Sequence, residues 1–264
     1  MDERRCASRS AYSSVEVETF ARTWERERFQ VEEAFWWYRA RREIIVRLVR
    51  ARRLRGRILD IGCSSGLLMQ ALDGLGFDQV YGIDISEPAI ERCRSRGLTT
   101  TQVMDGAKTG FPGAAFDVAI ASDVLEHIAD ESGALQEWYR ILEPGGTLVV
   151  FVPAFESLWS AWDDLNSHCR RYTRASLMKA LRANRFVVSR TSYWNAGLFL
   201  PTVGLRVAER LFSRPPDYGA MVKQVPRLVN RLMCRVLSCE NALVASGINC
   251  PAGLSVFAIA VKPG

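Results

Sequence analysis

From Arg57 onward, short β-rich runs alternate with helical segments, and this alternation restricts the fold more than any other feature of the chain. The runs are Arg57–Gly62, Gln79–Asp84, Thr99–Met104, Phe116–Ser122, Gly145–Val152, Phe186–Trp194 and Ser255–Val261. Helical stretches at Leu67–Leu75, Glu87–Arg96, Ser132–Leu142 and Arg174–Asn184 separate most of them. Strands joined through helices pair in parallel rather than as hairpins, and their crossovers are right-handed. The expected fold class is therefore α/β, a doubly wound Rossmann-like sheet. A chain of 264 residues that is 48% apolar has the core for one such domain with decorations.

The decorations lie at both ends. Residues 1–34 read as a polar, frayed tail passing into helix. Phe35–Val49 follows as one amphipathic helix, with apolar positions 38, 45, 48 and 49 at helical spacing. Two further helical patterns, Leu198–Leu211 and Val225–Ala245, flank the turn-rich stretch Ser213–Gly219 and read as a helical hairpin inserted before the last strand. The expected organisation is an N-terminal helical extension or lid (1–56), a core (57–195), an insertion that covers the acceptor (196–250) and the core's final strand (251–264). Phe199, Leu200, Val203, Leu205 and Leu211 give the insertion an apolar face. Such a face packs on the core, meets a second copy in a homodimer, or makes a peripheral membrane contact.

Seven cysteines (6, 63, 93, 169, 234, 239 and 250) include no C-x-x-C pair, so zinc-finger spacing is absent and free thiols in a reducing cytoplasm are expected. Met1-Asp2-Glu3-Arg4-Arg5 leads into no apolar run of the secretory kind, and no window reaches the ~18 apolar residues of a membrane span. The net charge is +6, and nine arginines fall between Arg39 and Arg57. That run suits a phosphate, an acidic substrate or a membrane surface, although a solvated helix face is its commonest meaning.

The first strand ends in Asp60-Ile61-Gly62-Cys63-Ser64-Ser65-Gly66, immediately before a helix. A glycine turn there lets the backbone approach a ligand, and the helix N-terminus offers unpaired N–H groups. Open α/β sheets bind ligands at such strand ends. The spacing lacks the third glycine of a dinucleotide fingerprint, which favours a smaller, carboxylate-bearing ligand over NAD. The second strand ends in Asp84, placed to hold a ribose diol. Ser86, ahead of Glu87-Pro88, is the better helix cap and leaves Asp84 free.

With Gly82-Ile83-Asp84-Ile85-Ser86, Asp105 after the third strand, Phe116–Ile128 and Leu142-Glu143-Pro144-Gly145-Gly146-Thr147-Leu148, these residues resemble the class I S-adenosylmethionine (SAM)-dependent methyltransferases. The resemblance covers residues 57–152, with the motifs in family order. It implies a seven-stranded sheet whose last strand is antiparallel, SAM as cofactor and S-adenosylhomocysteine as product. It assigns Gly62, Cys63, Ser64 and Gly66 to the methionine part and Asp60 to the turn or the cofactor amino group. It gives Asp84 the ribose, with Ile85 beside it. It sets Asp105 and Gly106 against adenine, and Ser122 beside the methionine chain. Ser64 stands where many members have glycine. Trp36-Trp37-Tyr38-Arg39-Ala40-Arg41-Arg42 upstream and His168-Cys169-Arg170-Arg171-Tyr172-Thr173 downstream resemble bacterial members acting on small molecules, glycans or lipid-linked intermediates.

Methyl transfer is an in-line displacement that needs alignment, exclusion of water and, for a protonated acceptor, a base. The two histidines, His127 and His168, are the candidates for that base. Arg170, Arg171 and Tyr172 are candidates for an acidic group on the substrate, with bridging of strands and loops as the alternative. Trp37 and Tyr38 either close over the sulfonium or belong to the core. Arg41 or Arg42 is a candidate to meet the cofactor carboxylate. No metal is expected. Asp123, Glu126 and His127 would offer ligands on one face if a helix followed strand four, and a helix cap with an arginine pair explains the same residues. The expected function is methyl transfer to oxygen or nitrogen of a small molecule. A non-catalytic partner subunit would not need the intact turn at Asp60–Gly66. A nucleic-acid enzyme would show an Asn/Asp-Pro-Pro-aromatic turn where Ala121-Ser122-Asp123-Val124 stands, and no nucleic-acid module is present.

Overall fold

The computed structural model describes residues 29, 31–77, 79–212 and 225–264. The tail through residue 28, Cys6 and the turn at Ser213–Gly219 lie outside the described residues. In chain order the elements are α1 (Trp36–Ala51), β1 (Arg57–Ile61), α2 (Leu67–Asp73), β2 (Gln79–Asp84), α3 (Glu87–Ser95), β3 (Thr101–Val103) and β4 (Phe116–Ser122). There follow a 3₁₀ turn at Leu125–His127, α4 (Glu131–Ile141), β5 (Leu142–Pro153), a second 3₁₀ turn at Glu156–Leu158 and α5 (Ala161–Leu165). The last five are α6 (Arg174–Ala183), β6 (Val187–Trp194), α7 (Phe199–Phe212), α8 (Arg227–Ala245) and β7 (Ser255–Val261).

The seven strands form one sheet in the order β3-β2-β1-β4-β5-β7-β6. β1 pairs in parallel with β2 and β4, and β7 runs antiparallel to both β5 and β6. This is the Rossmann-like sheet with a reversed last strand. The chain reverses direction on either side of β1, so the carboxyl ends of β1 and β4 open a crevice where a ligand can enter. Leu148–Val152 in β5 and Val256–Ala260 in β7 are fully or almost fully buried. Such unbroken apolar runs are what strands covered on both faces require.

One cover is built on Trp138, Leu135 and Leu177 and the other on Ile44, Ile45 and Leu48 of α1 with Trp194 and Leu237. Truncating Trp138 or Trp194, both fully buried, would cost about 3–5 kcal/mol. α8 packs on α1: Asn241 Nδ2 donates to the Ala40 carbonyl at 2.9 Å, and its Oδ1 accepts from Trp194 Nε1 at 2.7 Å.

Several elements differ from their sequence expectation. β5 starts at Leu142, because Gly145 at φ +82° carries the strand through an irregular stretch where Gly145 N–H donates to the Lys262 carbonyl. β3 shrinks to three residues. α8 starts at Arg227 because Pro226 forms its N-cap. Ser86 caps α3, its hydroxyl accepting from Ala89 N–H at 3.1 Å, as the sequence predicts. Cys63, Cys93, Cys234, Cys239 and Cys250 are free thiols, whereas Cys169 is disulfide-bonded, which corrects the expectation for that residue.

Candidate active site

A cavity of about 990 Å³ opens at the carboxyl ends of β1, β2 and β4. Its wall includes Asp60, Gly62, Cys63, Ser64, Asp84, Ile85, Asp105, Gly106 and Ser122, with Trp37, Tyr38 and Arg41 from α1. It continues past Asp123, Glu126 and His127 to His168 and Arg171. Residues from six separate stretches of sequence thus share one space.

The turn after β1 is shaped by backbone that favours glycine. Gly62 has φ +75°, and a Cβ there would fall 2.5 Å from Val124 Cγ2. Gly66 caps α2 at φ +78°, where a Cβ would collide with Leu98. Gly66 does not itself line the cavity; it shapes the turn that does. Ser64, at φ +47°, takes a left-handed conformation that glycine would hold without cost. Its compensation is local: Ser64 N–H donates to Asp84 Oδ2 and Ser86 N–H to Asp84 Oδ1, both at 2.9 Å. Each Asp84 oxygen keeps a lone pair, so the carboxylate is fixed in plane and can still accept from a vicinal diol.

Asp60 is buried at the root of this turn, and burial, with the negative charge of Asp84 and Glu32 nearby, drives its carboxyl well above the usual range. Asp84 and Glu32 beside the turn suit a ligand that carries positive charge. Beyond β3, Gly106 leaves no room for a side chain, since a Cβ would sit 2.8 Å from Ile61 Cγ2. Its carbonyl accepts from Trp138 Nε1 at 2.8 Å, and Asp105 Oδ1 accepts from Ala107 N–H at 2.8 Å. Close-approach glycines at the turn, an anchored diol acceptor and the acidic surround together fit SAM. The residues that could hold it are Asp60, Gly62, Cys63, Ser64, Asp84, Ile85, Asp105, Gly106 and Ser122.

Glu32 was not singled out in the sequence. It is buried against the turn, accepting from Ser64 Oγ at 2.6 Å and from Ser65 Oγ. Its own carbonyl accepts from Arg42 at 2.9 Å, and neighbouring Glu33 pairs with Arg96 at 2.6 Å. The segment before α1 is thereby fastened across the turn. A lone glutamate in a polar stretch carries no periodic or motif signal.

Arg41 is anchored at the cavity wall. Its NH2 donates to Ser255 Oγ at 2.7 Å and to Asp123 at 3.2 Å, and its guanidinium lies 4.3–4.9 Å from the ring centres of Trp194, Phe151 and Trp37. Its remaining nitrogens are buried away from solvent. Arg41 lines the cavity and holds Asp123, while its Nε and Nη1 have no hydrogen-bond partner among the described residues. Asp123 has φ +58° and caps no helix; a 3₁₀ turn follows it. The helix-face argument for Asp123, Glu126 and His127 therefore fails. Glu126, His127 and His168 converge instead, each offering a ligand atom within 4.8 Å of the others. Glu126 is buried, and burial together with the Asp123 charge raises its carboxyl well above the usual range.

At the far end, Asp163 Oδ1 lies 2.9 Å from His168 Nδ1. Asp163 also accepts from Arg171 at 2.7 and 3.0 Å and from Ser160 N–H at 2.8 Å. Its burial works against the charge, but these donors prevail and hold the carboxyl far below its usual range. His127 packs edge-on to His168, with ring centres 4.6 Å apart. Sequence reading passed over Asp163; its only mark is a capping box with Ser160 at the start of the five-residue α5.

The arginine expectations are corrected here. Arg171 lines the cavity, but its fork is spent on Asp163 and the Ala154 carbonyl. Arg170 donates to the carbonyls of Ile128 and Ala129, and Tyr172 to Glu131 at 2.7 Å. Neither Arg170 nor Tyr172 reaches the cavity wall. These residues bridge loops, which is the alternative the sequence left open.

Residues 59–150 match a family model described as a methyltransferase domain. The chain is 35% identical over 96 residues to a ubiquinone biosynthesis O-methyltransferase of Methylococcus capsulatus, covering 34% of this chain and 40% of that protein. It is 37% identical over 109 residues to the aklanonic acid methyltransferase DauC of Streptomyces sp., covering 38% and 50%. The chain spans half or less of the length of these curated relatives. Among solved structures, it superposes on the phosphoethanolamine N-methyltransferase 2 of Haemonchus contortus, in complex with phosphomonomethylethanolamine and S-adenosylhomocysteine, with a TM-score of 0.52. That likeness has 18% identity and covers 79% of this chain and 49% of the other, so it establishes a shared fold.

Proposed function

We propose that this chain is a class I SAM-dependent methyltransferase, as its match to a methyltransferase domain over residues 59–150 supports, and that it methylates an oxygen or nitrogen nucleophile of a small molecule, with His168 as general base. The observation that carries the reading is the Asp163–His168 pair at 2.9 Å, in the same cavity as the glycine turn and Asp84. Asp163, held ionised, can only accept a hydrogen bond. The shared proton therefore sits on His168 Nδ1, and Nε2 is left as the acceptor. A hydroxyl or ammonium at that end of the cavity gives its proton to Nε2, and the Asp163 carboxylate stabilises the imidazolium that forms. SAM supplies an electrophilic methyl group on a sulfonium. Asp84, Asp105 and the turn at Gly62–Ser64 orient the cofactor, and Trp37 and Tyr38 of α1 help exclude water from the junction. His127 holds the His168 ring edge-on.

The acceptor end is walled by Pro153, Leu158, Trp162 and Leu254, with Thr202 and Arg206 from α7. An apolar wall with a few polar groups suits a secondary metabolite, a glycan or a lipid-linked intermediate. The similarity to the Methylococcus O-methyltransferase of ubiquinone biosynthesis favours an oxygen acceptor. The test is transfer of tritiated methyl from SAM to a panel of phenols, carboxylic acids, sugars and amines. Label in an organic product, lost in His168→Ala while SAM still binds, supports the reading. Undiminished transfer in that variant overturns the base assignment.

A further inference from the structure

α8 carries a second pattern that the cavity does not use. At 3.6 residues per turn, Asn230, Leu237, Asn241 and Val244 fall on one arc and face α1. Asn230 accepts from Trp36 N–H at 2.8 Å, and Leu237, Asn241 and Val244 are buried. The opposite arc holds Leu228, Leu232, Val236, Cys239 and Leu243, all exposed; Leu228 is 78% exposed. Beside it runs a second exposed row, Arg227, Arg231 and Arg235, at i, i+4 and i+8. The helix has one acid, Glu240, and it turns inward to accept from Ala196 and Gly197 N–H at 3.0–3.2 Å. α7 repeats the theme: Thr202 and Arg206 line the cavity while Leu200, Val207 and Leu211 stand exposed on another side.

We infer that α8, with the outer side of α7, docks on an anionic lipid bilayer surface. A row of leucines beside a row of arginines, unanswered by any exposed acid of that helix, is complementary to acyl chains below a negatively charged headgroup layer. No described helix is long and apolar enough to cross a membrane, so this is a contact in the interface plane. A second copy of the chain is the poorer occupant. A two-fold contact would bring the arginine rows of both copies together with no acid between them. α7 walls the acceptor end of the cavity, so docking there would bring the acceptor mouth toward the bilayer. The inference does not depend on His168 or on the identity of the acceptor.

The test is sedimentation of the whole chain with vesicles of phosphatidylglycerol and phosphatidylcholine, against phosphatidylcholine alone, at low and high salt. Binding is expected to the anionic vesicles and to weaken with salt. Arg231→Gln should lower partitioning about fivefold and the Arg231→Gln, Arg235→Gln pair about 25-fold, each basic residue acting separately at the surface. Leu228→Gln with Leu232→Gln should lower it at every salt concentration. S-adenosylhomocysteine binding by each variant shows that it is folded and separates this inference from the methyltransferase reading. Equal partitioning to both vesicle types, none to either, or no change in the variants overturns the inference. So does a dimer that Leu232→Gln dissociates in the absence of vesicle binding, because the face then belongs to a second copy.

Discussion

Asp163 Oδ1 stands 2.9 Å from His168 Nδ1, and Arg171 grips the same carboxylate from the other side. The aspartate is thus locked as an acceptor and fixes which ring nitrogen of His168 carries the proton. His168→Ala should lower turnover by about 10²–10⁴ and leave SAM affinity unchanged. Asp163→Asn should lower turnover too, because the amide can donate to Nδ1 and move the ring proton to Nε2. Steady-state kinetics with calorimetric SAM binding on the same preparations checks both. A loss confined to KM would remove His168 from proton transfer.

Asp163 also governs acid stability. Its carboxyl is held well below the ordinary range, so the ionised form stabilises the fold fully above the unfolded-state value of about 3.9, and that contribution is lost as pH falls below it. Asp163→Asn should cost about 3–5 kcal/mol at pH 7, since it leaves Arg171 without its charged partner. The difference from the parent should narrow as pH drops below about 4. Thermal unfolding of the two proteins across that range measures it; a constant difference would mean that the pair is not ionised in the folded state.

Chelation distinguishes a base from a metal at His168. Glu126, His127 and His168 offer ligand atoms within 4.8 Å of one another, but His168 Nδ1 faces Asp163, and a cation would take the Nε2 that the proposed proton transfer needs. Turnover should survive dialysis against EDTA. Loss on chelation, restored by magnesium or zinc, would transfer the role of the cluster from base to metal.

Asp84→Ala should weaken SAM binding about tenfold or more, the loss of a charge-assisted bond being worth ~1.5–3 kcal/mol. It should also loosen the turn, because Ser64 N–H loses its partner. Titration calorimetry with the wild type and Asp84→Ala reads the first effect. Unchanged affinity would move the ribose elsewhere.

The sheet and the turn after β1 were legible in the sequence because each rests on local chemistry. The alternation of β-rich and helical runs specifies parallel pairing, and the turn at Gly62–Gly66 with Asp84 needs glycine and an acid at fixed spacing. The far end of the cavity was legible only in part. His168 stood out as one of two histidines, but Asp163 orients it from a five-residue helix too short to show periodicity. Arg170, Arg171 and Tyr172 looked like substrate ligands because composition cannot tell whether an arginine fork is spent internally. The anchoring of Arg41 was equally out of sight, because its partners, Asp123 and Ser255, lie 82 and 214 residues away. Asp123 did not continue a helix because the chain turns left-handed there, and no residue type at that position announces it.

The most direct measurement is a crystal structure of the chain grown with S-adenosylhomocysteine. The ribose hydroxyls should lie on Asp84, the adenine between Ile85 and Asp105–Gly106, and the thioether sulfur should face His127 and His168. The account is contradicted if the ligand settles elsewhere, or if the cavity admits none at saturating concentration.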